Sequence, residues 1–161
     1  MAEHSNQPSQ TDVIHLLHRA SQSADDLLAG RITNLSVTPR QLTVLIAVRS
    51  LSNASQTALV DRTGIDRSTL ADIVRRLVEA GFLERERARH DARMYAVRLT
   101  DAGAELVGKA EPMRIEVAEH VLAGLAPDAR TDLISNLSRI VDDLGPVASA
   151  RVSPRSRNAA E

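Results

Sequence analysis

Six polar side chains in one short stretch recur at the spacing of a single helix face. Residues three or four apart on a helix share a side, and these positions fall on that side or on its flank. Hydroxyl and guanidinium groups donate hydrogen bonds to base edges and phosphates, so the face has the chemistry to contact DNA. For any single arginine, the alternative is a solvated surface side chain. The six residues are Ser68, Thr69, Asp72, Arg75, Arg76 and Glu79.

The apolar residues of the same stretch predict how it packs. They follow the i, i+3, i+4, i+7, i+8 spacing of a helix that buries one side. Gly64 stands where the preceding helix, over 55–63, must end, and Asp66 is placed to cap the next, over 66–80. The pattern predicts a helix-turn-helix, whose second helix enters the major groove of DNA. The buried residues are Leu70, Ile73, Val74, Leu77 and Val78.

Two strand-like runs, over 82–87 and 94–99, follow this helix and are joined by residues 88–93. Alternating apolar residues in the second run predict a half-buried strand. A basic hairpin directly after a helix-turn-helix is a wing. We expect its tip to place Arg89, His90 or Arg93 in the adjacent minor groove, where a narrow groove concentrates negative potential.

Further helices are predicted on both sides of this unit. A long first helix spans about 11–35, and Thr38 caps a second helix that is apolar on most sides and should lie at the centre of the core. Thr100 caps a fifth helix, which we expect to run to about Ala123 with a kink near Pro112.

The last helix is predicted to begin at Pro127 and to end at Gly145-Pro146. The first and last helices carry more apolar surface than a small winged domain can bury. A second copy of the chain, related by a twofold axis, is therefore expected to cover it. The fold predicted is mainly α, a winged helix-turn-helix of about six helices plus a β-hairpin. Its predicted parts are disordered ends at 1–10 and 146–161, a DNA-binding lobe at 36–100, and dimerisation helices at 11–35 and 101–145.

Charge is distributed unevenly along the 161 residues, although the net charge is only −1. Residues 62–98 carry nine arginines and six acids, a net of +3, whereas 99–145 carry four basic and nine acidic residues, a net of −5. A basic middle suggests a face that meets an anion. The absence of cysteine excludes disulfides and thiolate metal sites, and one Phe, one Tyr and no Trp disfavour base stacking on single strands. Without a signal sequence or membrane span, the expected location is cytoplasmic.

Five short motifs occur in a characteristic order. They are VTPRQL at 37–42, DRSTL at 66–70, VEAGFL at 78–83, DAR at 91–93 and VRLTDAG at 97–103. Together they make the chain, from about residue 11 to 144, resemble the MarR family of bacterial winged-helix regulators. The resemblance implies an obligate dimer, a pseudo-palindromic DNA operator, and in most cases repression. It also implies release by a small effector, often an aromatic carboxylate or an acyl-CoA thioester.

Carried over by position, the resemblance assigns roles on the recognition helix and on the wing. Arg93 matches the wing arginine of the family and Asp91 the acid that steadies it; the alternative for this pair is a hairpin salt bridge of little energetic worth. Arg75 is the best candidate for a base contact. The groove-facing set is Ser68, Thr69, Asp72, Arg75 and Arg76.

The resemblance also implies an effector pocket bounded by the first, second and fifth helices. An anionic effector needs a polar partner there, because burying an unpaired carboxylate is costly. The alternative for each candidate is a solvated surface side chain, or for the two histidines a place in the dimer interface. The candidates are His15, His18, Arg19, Arg40 and Arg114.

Three other functions are less well supported by the sequence. The first is a metal-responsive regulator, because His15 and His18, and likewise Glu116 and His120, have a spacing that allows both to bind one metal ion. Against it, no histidine lies in 101–109, where zinc-responsive relatives supply ligands. A winged helix that binds only protein remains an alternative. No catalytic constellation or phosphate-binding glycine loop is present in the sequence, so we expect neither an enzyme nor a cofactor.

Overall fold

The computed structural model describes residues 12–51, 54–87 and 95–150. Within these ranges the chain is mainly helical and carries one small antiparallel sheet, which confirms the predicted winged helix-turn-helix. A short 3-10 turn, Thr33–Leu35, separates the first two helices. The helices are α1 Val13–Arg31, α2 Pro39–Ser50, α3 Gln56–Thr63, α4 Arg67–Glu79, α5 Asp101–Leu122 and α6 Pro127–Ala150. The strands are β1 Ala54–Ser55, β2 Leu83–Arg87 and β3 Tyr95–Leu99.

The helix ends follow the capping residues that the sequence predicts. Thr38 and Gln41 form a reciprocal capping box at the start of α2, because the Gln41 N–H donates to the Thr38 hydroxyl (3.2 Å) and the Thr38 N–H to the Gln41 side chain (2.8 Å). The Thr100 hydroxyl accepts the Gly103 N–H (3.0 Å) at the start of α5. Gly64 ends α3 with φ +68°, a left-handed conformation that favours glycine.

The core is centred on α2, as its apolar composition predicts. Leu42, Val44 and Leu45 of this helix are completely buried. Side chains from α3, α4, β2 and α5 pack in the same cluster, so the helix-turn-helix is held against the start of α5 rather than standing alone. The buried side chains from these elements include Leu59, Leu70, Leu77, Leu83 and Val107.

A third strand, β1, precedes α3, where the sequence predicted no strand. Ala54 pairs with Val97 and Ser55 with Ala96, so the sheet order is β1-β3-β2 and the wing strands are anchored to the start of α3. A strand of two residues has no periodicity to reveal it, and its partner lies forty residues further on. Residues 52 and 53 are outside the described part.

One predicted helix boundary is corrected. Residues 145 and 146 do not end α6, which continues to Ala150, so the predicted disordered tail begins too early. Glycine and proline lower helix stability locally, but they do not by themselves fix the residue at which a helix ends. Helix α5 passes through Pro112 as one element, and the kink expected there stays a prediction. The predicted disordered stretch 1–10 and residues 151–161 lie outside the described residues.

The first and last helices leave their apolar stripes uncovered. Neither helix has a buried side chain among its described residues. No helix in the described part of the chain has the length and apolar character of a membrane span. The large exposed side chains on these two helices are Val13, Ile14, Leu16, Leu17, Leu27, Leu133, Ile134, Leu137, Ile140, Val141 and Leu144.

Candidate nucleic-acid interface

The second helix of the helix-turn-helix, α4, presents one buried and one charged side. Leu70, Ile73 and Leu77 are buried, which confirms the predicted stripe. The opposite side carries Arg75 and Arg76, whose side chains are 51% and 62% exposed. The exposed side can therefore meet a DNA groove without any rearrangement of the core.

Asp66 caps the N-terminus of α4. Its carboxylate accepts the Ser68 N–H (3.1 Å), the Thr69 N–H (2.9 Å) and the Ser68 hydroxyl (2.6 Å). These bonds from Ser68 and Thr69 hold the pKa of Asp66 well below its usual range, so the cap remains ionised. Because the Ser68 hydroxyl proton is engaged, its oxygen is left as an acceptor toward the groove.

An ion-pair ladder runs along the exposed side of α4. Both Asp72 oxygens are engaged, one by Arg75 Nη2 (2.6 Å) and the other by Arg76 Nε (2.8 Å). Arg75 Nη1 donates to both oxygens of Glu79 (2.8 and 3.0 Å). Hydrogen bonds from Arg75, then the charge of Arg76, lower the pKa of Asp72, and bonds to Asp72 and Glu79 raise the pKa of Arg75. We call Asp72, Arg75, Arg76 and Glu79 the α4 ladder.

The structure thus brings the predicted groove-facing residues together on one side of α4, and the charged residues among them form ion pairs. The helical spacing of the sequence places Glu79 on this side but does not reveal its bond to Arg75. The signal was present, since Arg75 has an acid three residues before it and another four residues after it.

Residues at the start of α3 form a second polar group beside α4 that sequence analysis did not identify. Arg67 Nη2 lies 3.4 Å from the Thr57 hydroxyl, and the Gln56 side-chain amide donates to the Arg67 carbonyl (3.3 Å). These contacts tie the two helices together at the N-terminal end of α4. Exposed polar residues in a short helix give no periodic signal, so contact across the turn could not be predicted.

The wing strands pair as predicted, and their charges compensate across the sheet. Arg98 on β3 lies 2.7 Å from a Glu84 oxygen and 3.8 Å from one of Glu86, both on β2. The predicted tip residues lie outside the described part of the chain and stay predictions. They are Arg89, His90, Asp91 and Arg93.

A cleft of about 370 Å³ lies between α1, α5 and α6. Leu28, Val117 and Ile134 give it apolar walls, and Asp25 and Arg114 are its charged lining residues. It differs from the pocket implied by the family resemblance, because α6 and not α2 forms its third side. Of the five predicted effector residues, Arg114 alone lines it. Exposed positions on α1 and at the start of α2 hold the other four, His15, His18, Arg19 and Arg40.

Arg114 is linked to the DNA-binding lobe through one carboxylate. It lies 3.3 Å from Glu111 Oε2, the same oxygen that accepts a 2.8 Å bond from Arg49 of α2. Arg49, then the charge of Arg114, lower the pKa of Glu111. Nearby, Glu116 pairs with Arg31 (3.0 Å), and no three acidic or histidine side chains cluster as metal ligands among the residues that the structure describes.

Comparison with known proteins agrees with this geometry. A model of the MarR family matches residues 35–94, which span α2, the helix-turn-helix and β2. A protein of Thauera aromatica, named as a transcriptional regulator of the hcr operon, is 26% identical over 153 residues, or 87% of this chain and 92% of that protein.

Two solved structures extend the likeness over most of the chain. BpsR of Bordetella bronchiseptica is 28% identical with a TM-score of 0.75, covering 88% of this chain and 98% of that one. MarR of E. coli in its apo form is 25% identical with a TM-score of 0.67, covering 78% and 94%. With its winged helix-turn-helix and the charged outer side of α4, the chain belongs to the MarR family of DNA-binding transcriptional regulators.

Proposed function

We propose that the protein is a homodimeric repressor that binds a pseudo-palindromic operator and is released by a small organic acid. The observation that carries this proposal is the exposed, arginine-bearing side of α4, which is held rigidly by a buried stripe and a capped first turn. Arg75 and Arg76 are long enough to reach base edges or phosphates when α4 lies in a major groove. Occupancy of a promoter by such a dimer would exclude polymerase.

The exposed apolar residues of α1 and α6 support the homodimer. Exposed apolar residues on two long helices are typical of an interface, and a twofold axis lets the same surface serve both subunits. The dimer would hold two α4 helices about 34–36 Å apart, one turn of DNA, so that each reads one half of the operator.

An acidic effector is supported by a relative and by the cleft. The DNA binding of BpsR is regulated by 6-hydroxynicotinic acid, an aromatic carboxylic acid. In this chain, apolar walls and Arg114 offer the complementary chemistry for such a ligand or for an acyl-CoA thioester. A carboxylate bound to Arg114 would compete with Glu111, and Glu111 also holds Arg49 of the DNA-binding lobe. The effector would thereby favour a different spacing of the two lobes.

The proposal is tested by titrating the protein against the intergenic DNA beside its own gene, at several salt concentrations and with a panel of aromatic acids and their CoA thioesters. We expect tight binding that falls steeply with salt, because each phosphate contact releases counterions, and relief by one class of compound. Salt-insensitive or absent binding, with the dimer intact in gel filtration, would contradict DNA recognition and favour a protein partner.

Arg114→Gln is expected to abolish the response to the effector while leaving operator affinity within about twofold, because Arg114 lies on α5 and is not part of the α4 ladder. The matched control is Arg19→Gln, which removes an exposed arginine of α1 that does not line the cleft. Release of DNA would be measured by fluorescence anisotropy over an effector series. An unchanged midpoint for Arg114→Gln, or an equal loss in both variants, would remove the cleft from the proposal.

A further inference from the structure

The α4 ladder is electrically neutral, although it carries two arginines. Asp72 and Glu79 match Arg75 and Arg76 charge for charge, and all four groups are engaged with one another. Non-specific attraction to DNA arises from cations that replace condensed counterions on the phosphates. A recognition helix with compensated arginines lacks this attraction, although it keeps the hydrogen-bond donors needed to read bases.

We propose that Asp72 is a specificity-determining residue that suppresses binding to non-operator DNA by compensating Arg75 and Arg76. The inference rests on the proposed DNA-binding function and adds the device by which the same helix discriminates between sequences. Asp72 is suited to this role because each of its oxygens holds a different arginine (2.6 and 2.8 Å). Glu79 contacts Arg75 alone and lies at the C-terminal end of α4.

This ion pairing can discriminate between DNA sequences, because only some sequences present in the major groove both an acceptor for the arginine and a donor for the carboxylate. An arginine leaving the α4 ladder gains two acceptors on a guanine, and the carboxylate gains a donor on the cytosine N4 amino group. Where the groove presents no such donor, the carboxylate meets base acceptors and repels them. Exposed ion pairs of this kind cost little to open, so the ladder does not obstruct binding to the correct sequence.

Asp72→Asn tests the inference, because it keeps the side-chain size and removes only the charge. We expect affinity for a scrambled duplex to rise about five- to thirtyfold at 0.15 M salt, as one or two arginines become free for phosphates, with a salt slope steeper by about 1–2. Affinity for a site enriched from random duplexes by the wild-type protein should not rise in proportion. The ratio of specific to non-specific affinity should therefore fall.

The matched control is Glu105→Gln on α5. Glu105 also pairs with a cation four residues away, Lys109 (2.7 Å), and its loss changes the net charge equally. We expect this variant to bind both duplexes like the wild type, and both variants to keep the wild-type melting temperature.

An unchanged ratio in Asp72→Asn, or an equal rise in Glu105→Gln, would overturn the role of Asp72 while leaving DNA binding itself established. Failure of the wild type to bind any duplex in a salt-dependent manner would instead overturn the proposed function, and the inference with it.

Discussion

Arg75→Ala is expected to weaken operator binding roughly ten- to a hundredfold, because a bidentate arginine–base contact is worth about 1–3 kcal/mol. Arg75 stands at the centre of the α4 ladder, held by Asp72 on one side and Glu79 on the other. Its removal leaves a net charge of −1 on the outer side of α4, so that repulsion from phosphates adds to the lost contact. The fold and the dimer should survive, since the Arg75 side chain is exposed.

Lys109→Ala provides the control for Arg75→Ala. Lys109 is also an exposed cation in an i, i+4 ion pair, but it lies on α5. Both variants would be titrated by anisotropy against the operator and a scrambled duplex, with gel filtration to confirm the dimer. Operator affinity within about twofold of the wild type in Arg75→Ala would remove this residue from the interface. Equal losses in both variants would assign the effect to net charge.

The helices and the outer side of α4 were predictable because their signals are local. A cap, a helix-ending glycine and an apolar stripe all lie within a few residues of what they determine, and Asp66 and Gly64 act as expected. Strand β1 was missed because its pairing of Ala54 with Val97 is a contact across the fold. The end predicted for α6 was wrong because a local Gly-Pro signal does not by itself fix where a helix ends, and α6 continues to Ala150.

In the candidate site, too, local features were predictable and contacts between distant parts of the chain were not. Sequence spacing identified which side chains share the outer side of α4, but not that Asp72 divides its two oxygens between two arginines. The cleft was beyond prediction because its walls come from helices that begin at residues 13, 101 and 127. Only Arg114 of the five effector candidates reaches it, since the sequence gives a residue's helix but not the neighbours of that helix.

The junction between the DNA-binding lobe and α5 depends on one glycine. The Thr100 hydroxyl donates to the Gly81 carbonyl (2.7 Å), and the Thr100 N–H to the Phe82 carbonyl (3.1 Å), so that the start of α5 rests on the turn that follows α4. Gly103 is buried in the first turn of α5 directly against this carbonyl. A Cβ at Gly103 would overlap the Phe82 oxygen and lie 3.0 Å from its carbonyl carbon.

Gly103→Ala is therefore expected to lower the free energy of unfolding by about 1–3 kcal/mol, the usual cost of forcing extra atoms into a packed site. The obstacle is backbone, so no side-chain rotation relieves it. Gly108→Ala on the same helix should act in the opposite direction, because that position is exposed, has nothing within 4 Å of the added Cβ, and gains about 0.5–1 kcal/mol of helix propensity. Urea unfolding followed by far-UV circular dichroism would compare the two at one protein concentration, because the proposed dimerisation would shift the midpoint. Equal shifts would show that helix propensity decides both positions, and would contradict close packing of α5 against the turn after α4.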